Sequence, residues 1–527
     1  MSNQVNILLD WCTANSVHLD PRISIVESHE SNGICVYSKD SFIPPETTLV
    51  KIPKDAVLST RTCSLAGIIP IIPFGLGAQL SLAVALHVEM LRGESSRWYG
   101  YIRSLPNKPA DLPLFWAINA CGSLDGLEAL SWLRGTEADK ILRAPSSGNG
   151  ASTLEEINRY YHDVAEPLLL RHSGVWQCTK AHGGLALKDF YYAFSMVSSR
   201  AFLVDAYHGL AMVPVADAFN HVVENNVHLE SDFNVCPECG ALYECVHDRD
   251  EHDEDDGDHD RRPPAATSGD ERDIFFEMVS NAGIPSHSEI FNTYGERLTN
   301  AELLNQYGFI LDVNDNDHLS WTMDEVLHLL SSEPVSRQDK DNVLRRFREV
   351  SSILRHSDAT SLLSRSNIIH FLGSDNNSFS INSEGVVSHM LWTLLFVLST
   401  RRQPETGLQA QLLAVLALQE QFELSLAEED DDDGGGEVAV DETDVGLARL
   451  RVLLDIAGMV VTLCRERKRL SGKPGSEGLD LSELMEGIPS ELPRTHLALS
   501  VLIGERSILD SCAAAWESLA DGIKTIA

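Results

Sequence analysis

The chain has 527 residues, of which 43% are hydrophobic and 23% are charged, and its formal net charge at pH 7 is −37. This length favours two or more domains, and the composition is that of a globular protein rather than a disordered one. A strongly acidic surface repels the phosphates of nucleic acids and attracts basic proteins, which argues against direct DNA or RNA binding and for a basic protein partner.

Two acidic runs carry part of this charge. Asp248–Arg262 holds nine acidic and three basic residues, and Glu428–Asp444 holds ten acidic residues and no basic one. Runs of this composition cannot bury a core, so we expect them to be solvated. The rest of the chain is acidic as well, which predicts a negative surface on the folded part.

The sequence shows no signal peptide and no membrane segment. The opening residues MSNQVNILLDW lack the basic region and the long apolar region of a signal peptide, and the apolar stretches further on are too short for a bilayer span. The ten cysteines are scattered apart from one cluster, which is typical of thiols that stay reduced. We therefore expect no membrane partner and a location in the nucleus, the cytoplasm or both.

The N-terminal third begins with a predicted helix over residues 5–16, where apolar residues recur at helical spacing. From Gly33 the pattern changes to two short strands, GICVYSKD and TLVKIP, which are separated by a turn at Pro44-Pro45. A helical insert follows at about 60–195, and it includes the one-sided apolar stretch LSLAVALHVEMLRG.

The middle of the chain is β-like and the remainder is helical. Residues 200–311 contain the runs AMVPVA, DIFFEMV and EIFNTYG, interrupted by an acidic and cysteine-rich insertion at about 234–272. After Asp312 the spacing is helical to the end, as in VSHMLWTLLFVLS and LARLRVLLDIAGMVVTLC. The pattern predicts an α+β part of short strands in residues 1–311 and an all-α part in residues 312–527.

Two polar motifs form the candidate site. Asp217-Ala-Phe-Asn-His221 follows the run MVPVA, and Tyr294, within the motif NTYG, comes 73 residues after His221. Tyr307 stands beside a second glycine further on. Taken alone, the first motif also fits a strand end capped by Asp and Asn, and tyrosines near glycines also fit packing. Glu289, just before FNTYG, is typical of a turn.

Together, MVPVADAFNH and EIFNTYGERLTNAELLNQYGF resemble the SET domain of the branch typified by the Rubisco large-subunit methyltransferase and the fungal ribosomal lysine methyltransferases. HESNGICVYSKDSFIPPETTLVKIP resembles the opening turn and strand pair of this branch, and WYGYIRSLP resembles its helical insert. The helical C-terminal half, with RTHLALSVLIGERSIL, resembles its substrate-binding domain. The resemblance implies a SET domain of short sheets with a helical insert, followed by an all-α substrate-binding domain.

The same resemblance implies S-adenosyl-L-methionine (SAM) as cofactor and a role for each matching residue. The backbone of Glu30, Ser31 and Asn32 is expected to hold SAM, although the family usually has glycine and an apolar residue at the last two positions. Tyr294 is implied as the catalytic phenol. The other implied contacts are Ser199, Arg200, Asn220 and His221 with SAM, and Arg200, Phe202, Asp217, Tyr294, Tyr307 and Phe309 with the substrate.

These residue types suit methyl transfer to lysine. Transfer from a sulfonium needs a neutral amine placed in line, and a free lysine has a pKa of about 10.4, so neutralising it at pH 7 costs roughly 4 to 5 kcal/mol. An apolar aromatic channel lowers that pKa by desolvation, and the ring faces also hold a methylated cation. A tyrosine hydroxyl can then orient the amine without acting as a strong base, so catalysis is mainly positioning and electrostatics.

The cysteine cluster is a second candidate site. The run CPEC at Cys236–Cys239 has the form of a zinc knuckle, and Cys245 with His247 could complete four ligands. His252 is an alternative fourth ligand, and a loop of exposed reduced thiols is the alternative to a metal site. Four protein ligands leave no open coordination position, so the predicted zinc is structural. The family resemblance does not supply this site.

The leading interpretation is lysine methylation of a protein. Protein-histidine methylation is the alternative within the fold, but a related histidine-methylating branch has asparagine where Phe202 stands, and an aromatic ring narrows and dries the channel. A non-catalytic SET-like module that binds basic tails is the second alternative. Such modules typically lose the central tyrosine or the Asn-His pair, whereas this sequence keeps Tyr294 and Asn220-His221.

The acceptor is expected to be a basic protein. The resemblance is greatest to the branch that acts on a large-subunit ribosomal protein or on nuclear regulators. The acidic charge of this chain favours the ribosomal protein, which would be basic.

Overall fold

The structure is a computed structural model with side chains. The residues it describes are 3–28, 33–118, 124–146, 150–176, 185–242, 245–248, 274–331, 336–355, 359–370, 379–401, 407–429 and 443–526.

Helices make up most of the described chain. In chain order they are α1 (Asn3–Ala14), α2 (Gly75–Arg92), α3 (Tyr99–Ile102), α4 (Leu124–Leu133), α5 (Glu137–Arg143), α6 (Thr153–Tyr160), α7 (Glu166–Arg171), α8 (Leu187–Arg200), α9 (Asn300–Tyr307), α10 (Met323–Leu330), α11 (Arg337–Arg355), α12 (Ala359–Leu363), α13 (His389–Thr400), α14 (Leu408–Glu429), α15 (Asp444–Leu470), α16 (Leu481–Glu486) and α17 (Pro493–Ile526).

The strands are short. In chain order they are β1 (His18–Leu19), β2 (Ile23–Glu27), β3 (Ile34–Ser38), β4 (Thr48–Pro53), β5 (Leu58–Ser59), β6 (Ala201–Asp205), β7 (Gly209–Met212), β8 (Val227–Glu230), β9 (Phe275–Ser280), β10 (His318–Trp321), β11 (Ile369–His370), β12 (Phe379–Asn382) and β13 (Val387–Ser388).

Several helices begin where the sequence supplies a capping residue. Ser152 accepts a hydrogen bond from the backbone N–H of Glu155, and the Glu155 side chain accepts one from the backbone N–H of Ser152. Thr322 and Glu325 form the same reciprocal capping box at the start of α10. Each box satisfies two backbone donors that the first helical turn leaves without a partner.

The chain divides into two compact units, and each is built from more than one segment. The first unit comprises Met1–Phe115, Arg143–Arg297 and Asn305–Gly308, and the second comprises Trp116–Leu142, Leu298–Leu304 and Phe309–Ala527. The domain boundary at residues 311/312 stays a prediction.

The described residues of the first unit form three small sheets. One has the order β1-β4-β9-β8, another is the β2-β3 hairpin, and the third has the order β5-β7-β6. The strands predicted in GICVYSKD and TLVKIP are β3 and β4, and the run DIFFEMV contains β9. Strands β8 and β9 pair antiparallel from Val227↔Ser280 to Glu230↔Glu277, so the residues between them leave and rejoin the sheet at neighbouring positions.

The second unit is mainly helical, with one sheet that the sequence pattern did not indicate. Its core contains buried residues of α11, α13, α14, α15 and α17. A four-stranded sheet of order β10-β12-β13-β11 packs with them. The all-α expectation for residues 312–527 is corrected in this respect, because strands of two to four residues are too short to show an alternating pattern. The predicted α+β class of the whole chain is confirmed.

Helix α13 contains one of the most apolar stretches of the C-terminal half. Every residue from His389 to Leu398 is buried, and the helix has no polar face. A helix that is hydrophobic all round lies in the middle of a large core or in a membrane. The buried residues of α13 belong to the core of the second unit, so α13 is a core helix. Within the described ranges, no helix has both the length and the apolar character that a membrane span requires.

A buried charged cluster joins three segments of the second unit. The Glu137 carboxylate lies 2.8 Å from Nη2 of Arg467 and 3.0 Å from Nζ of Lys140. Glu505 of α17 accepts a hydrogen bond from the backbone N–H of Glu137 at 2.7 Å. Burial raises the pKa of Glu505 to about 8, and the Glu137 carboxylate adds to this while Arg467 and Lys140 oppose it.

This raised pKa predicts a pH-dependent stability. The contribution of a protonated Glu505 to the free energy of unfolding is fully present below the unfolded pKa of about 4.3. This contribution is lost as the pH rises through the folded pKa of about 8. Glu505→Gln keeps a neutral acceptor for the Glu137 N–H, so the melting temperature of this variant should fall less than that of the unmodified protein between about pH 5 and 9. Glu517→Gln, at a partly exposed position of the same helix, is the control and should follow the unmodified protein. Parallel melting curves for Glu505→Gln and the unmodified protein would contradict this account.

Candidate active site

The two polar motifs predicted from the sequence contact each other directly. His221 and Asn292 form a parallel β-bridge, in which the backbone N–H of Asn292 donates to the carbonyl of Asn220 at 2.8 Å. The N–H of Val222 donates back to the carbonyl of Asn292 at 3.1 Å. Two segments that are far apart in the chain therefore hold one another in register, and this places Tyr294 beside His221.

A strained residue precedes the first motif. Val215 has φ 71° and ψ −39°, a positive φ that is costly for a β-branched side chain, and it is fully buried. Such conformations cost on the order of 1 to 3 kcal/mol and persist only where the surrounding structure enforces them. The short 3₁₀ helix Ala216–Ala218 follows at once, so the strained turn directs Asp217 away from the path of β7.

Asp217 is buried and is held by two partners. The Tyr101 hydroxyl donates to Oδ2 of Asp217 at 2.9 Å. Nη1 of Arg200 donates to the Asp217 carbonyl at 2.9 Å and lies 3.7 Å from Oδ2. Burial raises the pKa of the Asp217 carboxyl, while the charge of Arg200 and the hydrogen bond from Tyr101 oppose that rise.

Tyr101 is a site residue that the sequence reasoning missed. It lies in the WYGYIRSLP segment, which carried the resemblance to the helical insert but gave no sign of a role in the site. Burial raises the pKa of the Tyr101 phenol well above its usual range, and the nearby Asp217 carboxylate adds to this. The phenol therefore stays protonated and acts as a donor to Asp217.

Ser199 and Arg200 end helix α8, and Phe202 lies two residues further on in β6. The Ser199 hydroxyl donates to the Ser195 carbonyl at 2.8 Å, within the last turn of the helix. Phe202 is half-buried and pairs across the hairpin with Ala211. Arg200 contacts the first polar motif through Asp217.

Tyr294 lies between two other rings. Its backbone N–H donates to Nδ1 of His221 at 3.0 Å, and the two rings stack with centroids 5.2 Å apart. The ring of Tyr307 lies on it with a centroid distance of 4.7 Å. Burial lowers the pKa of His221, which favours the neutral imidazole that can accept this hydrogen bond. The backbone of Tyr294 is thus positioned by the first motif.

The phenol of Tyr294 is a weak acid in this setting. Burial raises its pKa to about 12; the Arg200 charge opposes this, and the charges of Asp217 and Glu289 add to it. Burial also raises the pKa of Tyr307. Both hydroxyls are therefore protonated at neutral pH and can donate or accept a hydrogen bond without carrying a charge.

Glu289 is a second residue that the sequence reasoning missed. Its carboxylate accepts hydrogen bonds from the Asn220 side-chain amide at 2.6 Å and from the Tyr37 hydroxyl at 3.2 Å. Because Nδ2 of Asn220 donates to Glu289, the amide oxygen of Asn220 is directed away from that carboxylate. Sequence pattern alone predicted a turn residue here, and the contact with Tyr37 spans too much of the chain to be read from a local motif.

Some predicted positions fall outside the described residues. Glu30, Ser31 and Asn32 lie outside the described residues, as does His252. Phe309 is half-buried and belongs to the second unit.

The four candidate metal ligands converge. One ligand atom each from Cys236, Cys239, Cys245 and His247 lies within 4.8 Å of every other. Nδ1 of His247 is 3.7 Å from Sγ of Cys236 and 3.6 Å from Sγ of Cys245. The predicted set is therefore brought together in space, whereas scattered thiols in a loop would not converge in this way.

A tight turn shapes the first pair of these ligands. The N–H of Gly240 donates to the Cys236 carbonyl at 2.8 Å, and Gly240 adopts φ 75°, which favours glycine. The backbone N–H groups of Cys239 and Glu238 lower the pKa of the Cys236 thiol to about 7. The turn thus presents a readily ionised sulfur at its centre.

Solved structures share this fold. The SET domain of LSMT bound to lysine and AdoHcy aligns with a TM-score of 0.57 and 16% identity, covering 100% of this chain and 93% of that one. Rubisco LSMT bound to AdoMet aligns with a TM-score of 0.56 and 15% identity, over 100% of this chain and 94% of that one. The fold predicted from the two motifs is therefore confirmed.

Curated relatives agree with the resemblance. Ribosomal lysine N-methyltransferase 3 of Saccharomyces cerevisiae is 24% identical, and the match covers 56% of this chain and 60% of the relative. N-lysine methyltransferase SETD6 of Bos taurus is 23% identical over 58% of this chain and 57% of its own length. The match thus spans about three fifths of each relative. No family model matches the chain.

Proposed function

We propose that this chain, which has the SET-domain fold, transfers a methyl group from SAM to the ε-amine of a lysine in a basic protein. The observation that supports this most is the position of Tyr294. Its protonated phenol belongs to a half-buried ring that lies between the rings of His221 and Tyr307. The Arg200–Asp217 pair contributes to its electrostatic surroundings.

The surroundings of Tyr294 suit an amine that must lose its proton. Stacked aromatic rings solvate an ammonium ion less well than water does, so they lower the pKa of an entering lysine. The same low-polarity surroundings raise the pKa of Tyr294 to about 12, and both shifts disfavour charge at this point. A neutral lysine beside a protonated phenol is therefore the favoured pair.

Tyr294 acts by position rather than as a base. With a pKa of about 12 its hydroxyl stays protonated, and it can hold the amine by one hydrogen bond so that the nitrogen lone pair points in a fixed direction. The His221 contact to its backbone and the Tyr307 ring on its face restrict the phenol. Holding reacting atoms in line accounts for a large part of a transfer barrier.

The polar groups near Tyr294 match the amino-acid end of SAM, which carries a carboxylate and an ammonium group. Nη1 of Arg200 contacts Asp217. No described residue accepts a hydrogen bond from Nη2 of Arg200, so Nη2 would hold the carboxylate of SAM. The amide oxygen of Asn220, oriented by Glu289, would hold the ammonium group. When bound, SAM supplies the electrophilic methyl group. The contacts expected at Glu30, Ser31 and Asn32 remain part of this proposal.

A large-subunit ribosomal protein is the proposed acceptor. The net charge of −37 favours basic partners, and one relative is named a ribosomal lysine N-methyltransferase. Such an acceptor is met in the nucleus or the cytoplasm, which is the proposed location. As a further bound group we propose a zinc ion at the Cys236–His247 cluster, with no part in methyl transfer.

SAM binding is the first expected result. A ligand that binds only the native state stabilises it by RT ln(1 + [L]/Kd), which is about 2.7 kcal/mol at a concentration 100 times Kd. The melting temperature should therefore rise with SAM concentration, and calorimetry should give one site per chain. Arg200→Met should weaken this binding. The absence of both heat and thermal shift at millimolar SAM would contradict the proposal.

The acceptor is identified by comparing ribosomal proteins from cells with and without this gene. Mass spectrometry should show one large-subunit protein that lacks methyl groups on a lysine in the deletion cells. Purified protein and SAM should then restore them in vitro. If the methyl groups are restored on a histidine instead of a lysine, the proposed lysine acceptor is wrong, whereas the proposed methyl transfer from SAM is supported.

A further inference from the structure

The Cys236–His247 cluster has the dimensions of a tetrahedral zinc site. With Zn–S distances of about 2.3 Å and Zn–N distances of about 2.0 Å, tetrahedral ligand atoms lie roughly 3.5 to 3.8 Å apart. The two Sγ–Nδ1 separations, 3.7 Å from Cys236 and 3.6 Å from Cys245, fall in this range. Every pair in the set lies within 4.8 Å, so a small contraction closes the remaining distances.

The loop that carries these ligands is attached to the β6–β7 hairpin. The N–H of Ala206 donates to the Phe233 carbonyl at 3.0 Å, and the Ser231 hydroxyl donates to the Val204 carbonyl at 2.6 Å. Both contacts lie just before the first ligand. They join the start of the loop to the end of β6, the strand that carries Phe202.

The knuckle itself packs on the turn of the same hairpin. Arg61 donates to the Pro237 carbonyl at 2.8 Å, and its guanidinium lies over the Tyr207 ring at 5.0 Å. Gly240 faces that ring so closely that a Cβ there would lie 3.2 Å from Tyr207. None of the described residues from 231 to 247 belongs to a strand, so these contacts and the ligand cluster hold the described part of the loop.

We infer that Cys236, Cys239, Cys245 and His247 bind one zinc ion, and that this ion fastens the insertion to the β6–β7 hairpin. Four protein ligands leave no open position, so the ion is structural. The zinc ion would stabilise one region of the first unit. Tyr207 and Phe233 of this region line an apolar groove of about 240 Å³ together with Leu203 and Phe74. Losing the ion would loosen one wall of that groove and leave the Tyr294 surroundings in place.

The test measures metal and hairpin motion and needs no methyl transfer. Protein prepared without chelator should contain about one zinc per chain by elemental analysis, and Co²⁺ in its place should give the visible bands of tetrahedral thiolate coordination. Cys239→Ser should lose the metal. Glu238→Ser, an exposed non-ligand in the same turn, is the matched control and should keep it.

Hydrogen exchange separates binding from fastening. In Cys239→Ser, and in the unmodified protein after chelation, amides of residues 203–209 and 233–241 should exchange about tenfold faster, while those of α17 do not change. Absence of zinc together with absence of the Co²⁺ bands would overturn the site. Metal binding with unchanged hairpin exchange in Cys239→Ser would overturn the fastening role.

Discussion

Tyr294→Phe is expected to keep the fold and SAM binding while lowering kcat roughly 30- to 1000-fold on the true acceptor. The change removes one hydroxyl and keeps the ring that stacks on His221 and Tyr307, so packing is nearly conserved. If the hydroxyl aligns the amine, the interaction lost belongs to the transition state and costs about 2 to 4 kcal/mol. Steady-state kinetics should therefore show a fall in kcat that exceeds any rise in KM.

Tyr307→Phe is the matched control, because Tyr307 is the neighbouring half-buried phenol with a raised pKa. We expect a milder loss of kcat, or a change in the number of methyl groups added. Calorimetric SAM binding should be the same for both variants. Near-normal turnover by Tyr294→Phe would remove Tyr294 from the catalytic role, whatever Tyr307→Phe does.

Arg200→Met is expected to destabilise the protein by roughly 3 kcal/mol near pH 8, because it leaves the buried Asp217 carboxylate without its cation. This corresponds to a melting temperature lower by roughly 6 to 12 °C. Burial already raises the pKa of Asp217, and without Arg200 the pKa should rise further. Stability lost through a raised carboxyl pKa grows as the pH rises through that pKa, so the deficit should shrink towards about pH 5.

The double variant Arg200→Met/Asp217→Asn separates charge from packing. It removes both charges and keeps an acceptor for the Tyr101 hydroxyl, so calorimetry should find it more stable near pH 8 than Arg200→Met alone. Its melting temperature should also depend less on pH. A double variant as unstable as the single one at both pH values would mean that Arg200 contributes through its packing and its contact with the Asp217 carbonyl.

Sequence motifs predicted two segments that the structure brings together. The Asn220-His221 pair and Tyr294 were proposed from two separate segments, and the structure brings them into direct contact. The cysteine cluster was predicted from local spacing, and its ligand atoms converge. Such groups can be predicted from the sequence because their chemistry requires specific residue types at short separations along the chain.

The supporting residues could not be predicted in this way. Tyr101 and Asp217 are 116 positions apart, and Tyr37 and Glu289 are 252 apart. Tyrosine and glutamate are common residues, so nothing in the local sequence marks Tyr101 or Glu289 as the partner of a distant side chain. The small sheet of the second unit was missed for another reason, since strands as short as β11 and β13 leave no period to detect.

The direct pairing of β8 with β9 has a consequence for the length of the chain between them. Residues Glu230 and Glu277 face each other across the ladder, so both ends of the intervening segment are held at neighbouring positions whatever lies between. The entropic cost of closing a loop grows slowly with its length, so doubling the length of a connection adds only about 0.6 kcal/mol. This junction is therefore a natural place to accept foreign sequence. A fluorescent protein or an affinity tag placed after residue 260 should leave the sheet, and the contact of His221 with Tyr294, undisturbed.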